Sequence, residues 1–416
     1  YLDFSTGEKI KISFLKDNLF RLHLDPAGDF PEYPTPNKPD HVTKIIEKSV
    51  SDYNKEYGKI NVKVNKSDDN FYKISTKSVE IRIEIATSKM SLYDKTKSQV
   101  LWSEKEPLKY NDEKTLQTLD TKENEYFYGG GQQNGYYSHK NTSINIAIGG
   151  GWDAGAASSP VPFYLSTEGY GVMRNTFKAG AYNFSKTATF SHNEKRFDAY
   201  YFVEDSIPEI IGEYTELTGK AALMPKYGFY LGKADCFNGT HNGHKDQRTL
   251  LKNGLNNLNE YGSNNMPLGW FLPNDGYGCG YGGLDNLKSF VKEVNAKDIE
   301  VGLWTQSNLY PDPGLPEDSP LRRDLDGEVQ AGVRAIKTDV AWVGQGYSMA
   351  LNATRQAAEG IQKAENSQGA RPFVISLDGW AGTQRYASLW SGDQYGGDWE
   401  YIRMHIPTYI GAGLSG

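Results

Sequence analysis

Around Ser206 to Gly219 the periodicity of the chain changes, and that change limits the folds open to it. Upstream, apolar and polar residues alternate at period two in Lys9–Phe14, Leu19–Leu24, Ile60–Val64 and Val79–Ile85, with polar turns between them. Such alternation predicts half-buried antiparallel strands, and many short strands at near-regular spacing predict a β-sandwich. At the change itself Ile207, Ile210, Ile211, Tyr214 and Leu217 fall on one helical face, and Gly219 is placed to stop that helix. Downstream, short apolar runs recur at Gly228–Leu231, Leu268–Leu272, Ile299–Trp304, Val333–Lys337, Pro372–Ser376 and Ser388–Trp390, with helical segments such as Leu284–Asn295 and Met349–Ala364 between several of them. Strand and helix in series predict a parallel sheet, and polar aromatic loops after each strand favour a (β/α)8 TIM barrel over an open sheet. The expected fold is therefore multidomain, with an N-terminal antiparallel β-sandwich over residues 1–220 and a catalytic barrel over residues 221–416. Only the first six barrel strands are visible. Absent staves would expose edges, so the barrel is expected to be incomplete at the C-terminus of this chain and the residues to belong to a longer protein.

Composition narrows the function. The net charge of -7, with both signs interspersed, leaves no basic stripe for nucleic acid. Twenty-eight tyrosines and eight tryptophans, many beside Gly, Asn and Asp, suit a neutral polyhydroxylated ligand that offers both C–H faces and hydroxyls. No apolar run is long enough to span a membrane. Cys236 and Cys279 are the only cysteines, too few for a disulfide framework, although both follow barrel strands and can be neighbours at the barrel mouth. His241 and His244 stand three apart in a polar insertion without further ligands, so no metal is expected, and no cofactor motif is present. The cluster Gly129 to Gly131 lacks the Gly-Lys-Ser/Thr continuation of a phosphate loop and reads as a sandwich loop reaching the barrel.

Two aspartates follow apolar runs in the C-terminal half, Asp339 in Ala335–Trp342 and Asp393 in Leu389–Gln394. Carboxylates at strand ends can converge on one substrate, and glycoside hydrolysis with retention needs two of them about 5 Å apart. One attacks the anomeric carbon and the other protonates the leaving oxygen. Indole faces that stack on sugar rings, and glycines that allow close backbone approach, fit that task.

Tyr126–Gly131, Val161–Leu165 with Gly169–Val172, Tyr214–Gly219 followed by Leu223–Gly228, and Ala381–Tyr386 leading into Trp390–Asp393 occur in this order. In these motifs the chain resembles family 31 of the glycoside hydrolases, retaining exo-acting enzymes on α-linked sugars. The resemblance implies a sandwich packed on a catalytic barrel, with Asp339 after the fourth strand as nucleophile and Asp393 after the sixth as general acid/base. Asp339 must then be ionised when it attacks, while Asp393 needs a raised pKa. Hydrolysis and transfer to another sugar share this machinery.

Departures from the usual family pattern bear on the substrate. Asp339 is followed by Val340–Trp342 in place of Met-Asn-Glu, which removes a carboxylate and adds an indole. Leu377 stands where the family commonly has an arginine that meets the 2-hydroxyl, leaving room and an apolar wall for an N-acetyl group. Asn274 and Asp275 replace an Asp-x-Asp-Tyr type sequence, with Asp275 keeping a carboxylate near the far hydroxyls. Trp304, Gln306, Trp342 and Trp380 are expected to line the pocket, and Asp378, Arg385 and Trp390 complete the expected sugar contacts. The resulting expectation is release of terminal α-linked N-acetylgalactosamine from O-glycans of glycoproteins, outside the cell or at its surface. The alternatives are an α-glucosidase, an α-glucosyl or isomaltosyl transferase, and a non-catalytic carbohydrate-binding relative.

Overall fold

The computed structural model describes residues 1–416 except 5–6, 67–69, 150, 238–248, 277–278, 306–308, 311–322, 340–344, 365–369, 378, 395 and 416. Two antiparallel sheets of seven and nine strands form the N-terminal region. The smaller sheet joins Lys9–Phe14 and Leu19–Asp25 to Phe197–Val203, Tyr170–Arg174, Ala157–Ser166 and Phe127–Gln133. The larger runs from Ser143–Ile146 through Gln99–Tyr110 to an exposed edge at Lys63–Lys66, three residues later than the expected strand at Ile60. Alternation works as predicted in Val79–Glu84, where Val79, Ile81 and Ile83 are buried. Phe197–Val203 is instead buried on every residue, because one of its faces meets the second sheet and the other meets the rest of the molecule.

Gly129 to Gly131 lie within the strand Phe127–Gln133, which corrects their reading as a loop. All three have positive φ, and a Cβ at Gly131 would stand 2.3 Å from the Ser159 carbonyl oxygen. Glycine here permits a bulge and a close strand approach.

The helix Ile207–Thr218 starts after Ser206 and ends at Gly219, whose φ is 96°. Six parallel strands then follow in sequential spatial order: β1 (Leu231–Ala234), β2 (Leu268–Leu272), β3 (Glu300–Thr305), β4 (Val333–Thr338), β5 (Phe373–Ser376) and β6 (Ser388–Leu389). The expected first strand began at Gly228, but Lys226–Phe229 form a 3-10 turn, so β1 starts three residues later. Helices α1 (Leu284–Asn295), α2 (Tyr347–Lys363) and α3 (Trp399–Gly413) follow β2, β4 and β6. Leu287, Phe290, Val291 and Val294 give α1 one buried stripe, which packs with Phe271, Val301 and Leu303 of the strands. Sequential order with helical crossovers is the wall of a (β/α) barrel, and it delivers every strand's C-terminal end to one face.

The barrel is joined firmly to the sandwich. Trp380, just past β5, is buried in the sandwich core cluster, stacks on Tyr347 at 3.9 Å between ring centroids, and donates its indole N–H to the Thr176 carbonyl at 2.7 Å. Gln384 Nε2 donates to Thr218 Oγ1 and to the Gly219 carbonyl, both at 2.9 Å. Along α2, Ser348 bonds Asn37 and His41, and Asn352 accepts from Thr43. Truncation of Trp380 to Ala removes a fully buried aromatic and leaves the Thr176 carbonyl unpaired, so it should cost about 3–5 kcal/mol of stability. Urea unfolding checks this, and a loss below about 1 kcal/mol would mean that Trp380 is not what joins the two units.

Candidate active site

β4 carries the site's centre. Its ladder bonds end with Asp339, whose N–H donates to the Thr305 carbonyl of β3 at 2.9 Å, so the backbone holds the carboxyl at the C-terminal rim. Asp339 is 8% exposed. One of its carboxyl oxygens has no hydrogen-bond partner among the described residues, and the other side of the group takes a hydrogen bond from the side chain of Trp304. Burial pushes the carboxyl up to about 6, against the pull of Lys337 and Trp304, and the charges of Asp275 and Asp393 push the same way as burial. The two expected catalytic carboxylates are thus close enough to act on each other. Their environments divide otherwise than expected: the buried one with the raised pKa is Asp339, whereas Asp393 is exposed in the loop after β6. The cause is position, since Asp339 closes a central strand and Asp393 stands on the open rim.

Lys337, two residues before Asp339 on β4 and so on the same face, is a site residue that the sequence reading missed. Its Nζ donates to Asp275 Oδ1 at 2.8 Å and Oδ2 at 3.1 Å, and stands 3.9 Å from the centroid of the Trp390 ring. Asp275 and Trp390 therefore belong to the cluster around Asp339. Trp390 is positioned by its N–H, which donates to the Ser376 carbonyl at the end of β5.

A further layer fixes this cluster. Asn274, 2% exposed, accepts from the Trp304 N–H at 2.9 Å and donates to its carbonyl at 3.2 Å. It bridges β2 to β3 and presents no surface to a sugar. The Trp304 carbonyl also accepts from Arg323 Nη1 at 2.6 Å, and Arg323 forms a two-pronged pair with buried Glu328, both bonds at 2.7 Å. Cys236 and Cys279 form a disulfide across the loops after β1 and β2, around Asn274 and Asp275. The sequence reading allowed their proximity but not a bond that supports the fold.

From the sandwich, Trp152 reaches the rim, with ring centroids 6.2 Å from Trp390. Its carbonyl accepts from Gln394 Nε2 and Asn134 Nδ2. Gly392, at φ 106°, leaves room for it, as a Cβ there would lie 2.2 Å from the indole. Trp152 is thereby set against the backbone that carries Asp393. No local pattern in the sequence announced this contact between positions so far apart.

Other expected contacts stand elsewhere. Trp380 is buried against Tyr347 and Thr176, and Arg385 donates to the Gly382 and Lys44 carbonyls at the junction with the sandwich. The segment after β5 folds back toward the sandwich, so nearness in sequence to β5 and β6 did not become nearness to Asp339. Leu377 does lie beside the site, donating its N–H to the Thr338 carbonyl, but at 1% exposure its side chain gives the pocket no apolar wall. Gln306, Trp342 and Asp378 lie outside the described residues, as do His241 and His244. Among the described residues no group of three or more His, Cys, Asp or Glu could hold a metal, and no helix is long and apolar enough to cross a membrane.

This geometry agrees with what the chain is similar to. Residues 9–182 match the N-terminal galactose mutarotase-like domain of glycosyl hydrolase 31, and residues 285–416 match the TIM-barrel domain of the same family. An α-xylosidase of Saccharolobus solfataricus is 22% identical over 86% of this chain and 56% of its own length. Alpha-glucosidase 2 of Bacillus thermoamyloliquefaciens is 23% identical over 71% of this chain and 46% of its own. The chain thus spans about half the length of these curated relatives. A Flavobacterium johnsoniae dextranase solved with isomaltotriose has the same fold, with a TM-score of 0.76 at 17% identity over 99% of this chain and 57% of that one. Two domain models of one family, in order along a sandwich and a parallel barrel wall, establish that the chain belongs to glycoside hydrolase family 31.

Proposed function

We propose that the protein is a retaining exo-α-glycosidase in which Asp339 is the nucleophile and Asp393 the general acid/base. The observation that carries this is a buried carboxylate at the end of β4, one oxygen of which has no partner among the described residues, within electrostatic reach of a second, solvent-facing carboxylate. An oxygen left without a donor is free to form a bond to an anomeric carbon. Above pH 6 Asp339 is predominantly ionised, and burial removes the water shell that would otherwise blunt it. In the first step Asp339 displaces the leaving oxygen as Asp393 protonates it; in the second, Asp393 deprotonates the water that opens the glycosyl ester.

For the substrate, our reading remains a terminal α-linked N-acetylgalactosamine on a glycan. Its support is the missing arginine at Leu377, which takes a cation away from the 2-position; with Leu377 enclosed, the support is space and lost charge rather than an apolar wall. The named activities of the similar relatives, α-xylosidase and α-glucosidase, favour the alternative of a plain α-glycosidase without a 2-acetamido group. The cystine fits an oxidising compartment, so we place the protein outside the cell or at its surface.

Initial rates on p-nitrophenyl α-glycosides of N-acetylgalactosamine, galactose, glucose and xylose decide between these readings. Preference for the 2-acetamido sugar, abolished in Asp339→Ala, is the expected result; preference for xylose or glucose keeps the mechanism and discards the sugar. Asp339 also makes a prediction for stability. Its carboxyl is raised from 3.8 to about 6 in the fold, so ionising it costs stability as pH rises through that window. Asp339→Asn should therefore gain on wild type between about pH 4 and 6, by up to about 3 kcal/mol, while losing activity at every pH. A stability difference that does not change with pH would show that the carboxyl is not held in a dry site.

A further inference from the structure

Glycoside cleavage with retention calls for two carboxylates, and a lysine buried beside them has no part in that chemistry. Lys337 is such a lysine: its side chain is 10% exposed, bonded to both oxygens of Asp275, and seated over the Trp390 ring. We propose that Lys337 is a positioning residue for the glycosylation step, keeping Asp339 available as a nucleophile while it holds the Asp275 carboxylate and Trp390 in one fixed arrangement. The inference rests on the proposed role of Asp339.

Among the described residues, four groups act on Asp339 from the elements around it. Lys337 does so from the same strand, Trp304 from β3, Asp275 from the loop after β2 and Asp393 from the loop after β6. At the end of β5, Ser376 and Leu377 add no charge. Arg323 and Glu328, beneath the Trp304 carbonyl, neutralise one another. Burial and both carboxylates oppose ionisation, and of the groups that favour it Lys337 has the largest effect. Its ammonium group is compact and carries three donors. Two reach Asp275, and the ring face of Trp390 supplies an electron-rich seat. Held by Asp275 and Trp390 in this way, the ammonium places a positive charge among Asp275, Asp339 and Asp393.

The test uses the full-length protein with Lys337→Met, Lys337→Gln and Lys337→Arg, and two readouts. The first is the acid limb of the pH profile of kcat/KM, which reports the free enzyme's essential base. Loss of the cation should move that limb up by about one pH unit or more, while Lys337→Arg should leave it within a few tenths of wild type. The second readout needs no turnover: the stability difference between each protein and its Asp339→Asn counterpart, followed by urea unfolding against pH. Its upper edge, near pH 6 in wild type, should rise in Lys337→Met and Lys337→Gln and stay in Lys337→Arg. A residue that only braces Asp275 would alter stability or KM without moving either window. Unmoved windows in the uncharged variants overturn the proposal. Should wild type cleave no glycoside, the proposed function fails, and the unfolding window alone still decides whether Lys337 governs the ionisation of Asp339.

Discussion

The exclusion of water from the Asp339 carboxyl is the constraint on which the rest of the site depends. An isolated carboxylate in such a place would simply take up a proton. Here the surroundings oppose that outcome in layers: the indole of Trp304 and the ammonium of Lys337 act on the group, and Asn274, Arg323 and Glu328 act on the backbone of Trp304. Each layer comes from a different strand or loop. A parallel barrel wall makes this possible because the C-terminal ends of successive strands meet on one face, so residues distant in sequence converge without irregular backbone.

The same logic explains how firmly the sandwich is attached. It brings Trp152 to the segment holding Asp393, receives Trp380 into its own core, and sets Asn37, His41 and Thr43 against the helix after β4. A rim residue such as Asp393 has little barrel core beneath it. Its placement depends on Gly392 accepting the Trp152 indole and on Gln394 bonding the Trp152 carbonyl. The N-terminal region is therefore part of what orients the exposed carboxylate, and the barrel is not a self-sufficient unit with an appendage.

Much of this was legible in the chain. The switch from period two to helical period at Ser206 to Gly219 marks where the antiparallel sheets give way to parallel strands, because half-buried and fully buried strands impose different patterns. Asp339 and Asp393 were legible because an acidic residue directly after an apolar run is conspicuous. Lys337 obeys the same rule of register as Asp339, but a lysine in a strand reads as a solvent-facing residue unless the strand is known to be central in a barrel. Trp152 was beyond reach, since only tertiary structure joins it to Gly392. Trp380 and Arg385 were misread for the opposite reason: adjacency to β5 and β6 suggested a pocket, whereas the segment that bears them turns back to the sandwich.

The central claim is that Asp339 forms the covalent bond to the sugar. It is tested most directly by incubating the full-length protein with the 5-fluoro glycosyl fluoride of its preferred sugar, then mapping the trapped adduct by peptide mass spectrometry. A single glycosyl adduct on the peptide bearing Asp339, absent from Asp339→Asn, is the predicted result. An adduct on Asp393, or steady turnover of substrate with no adduct at Asp339, would contradict the account.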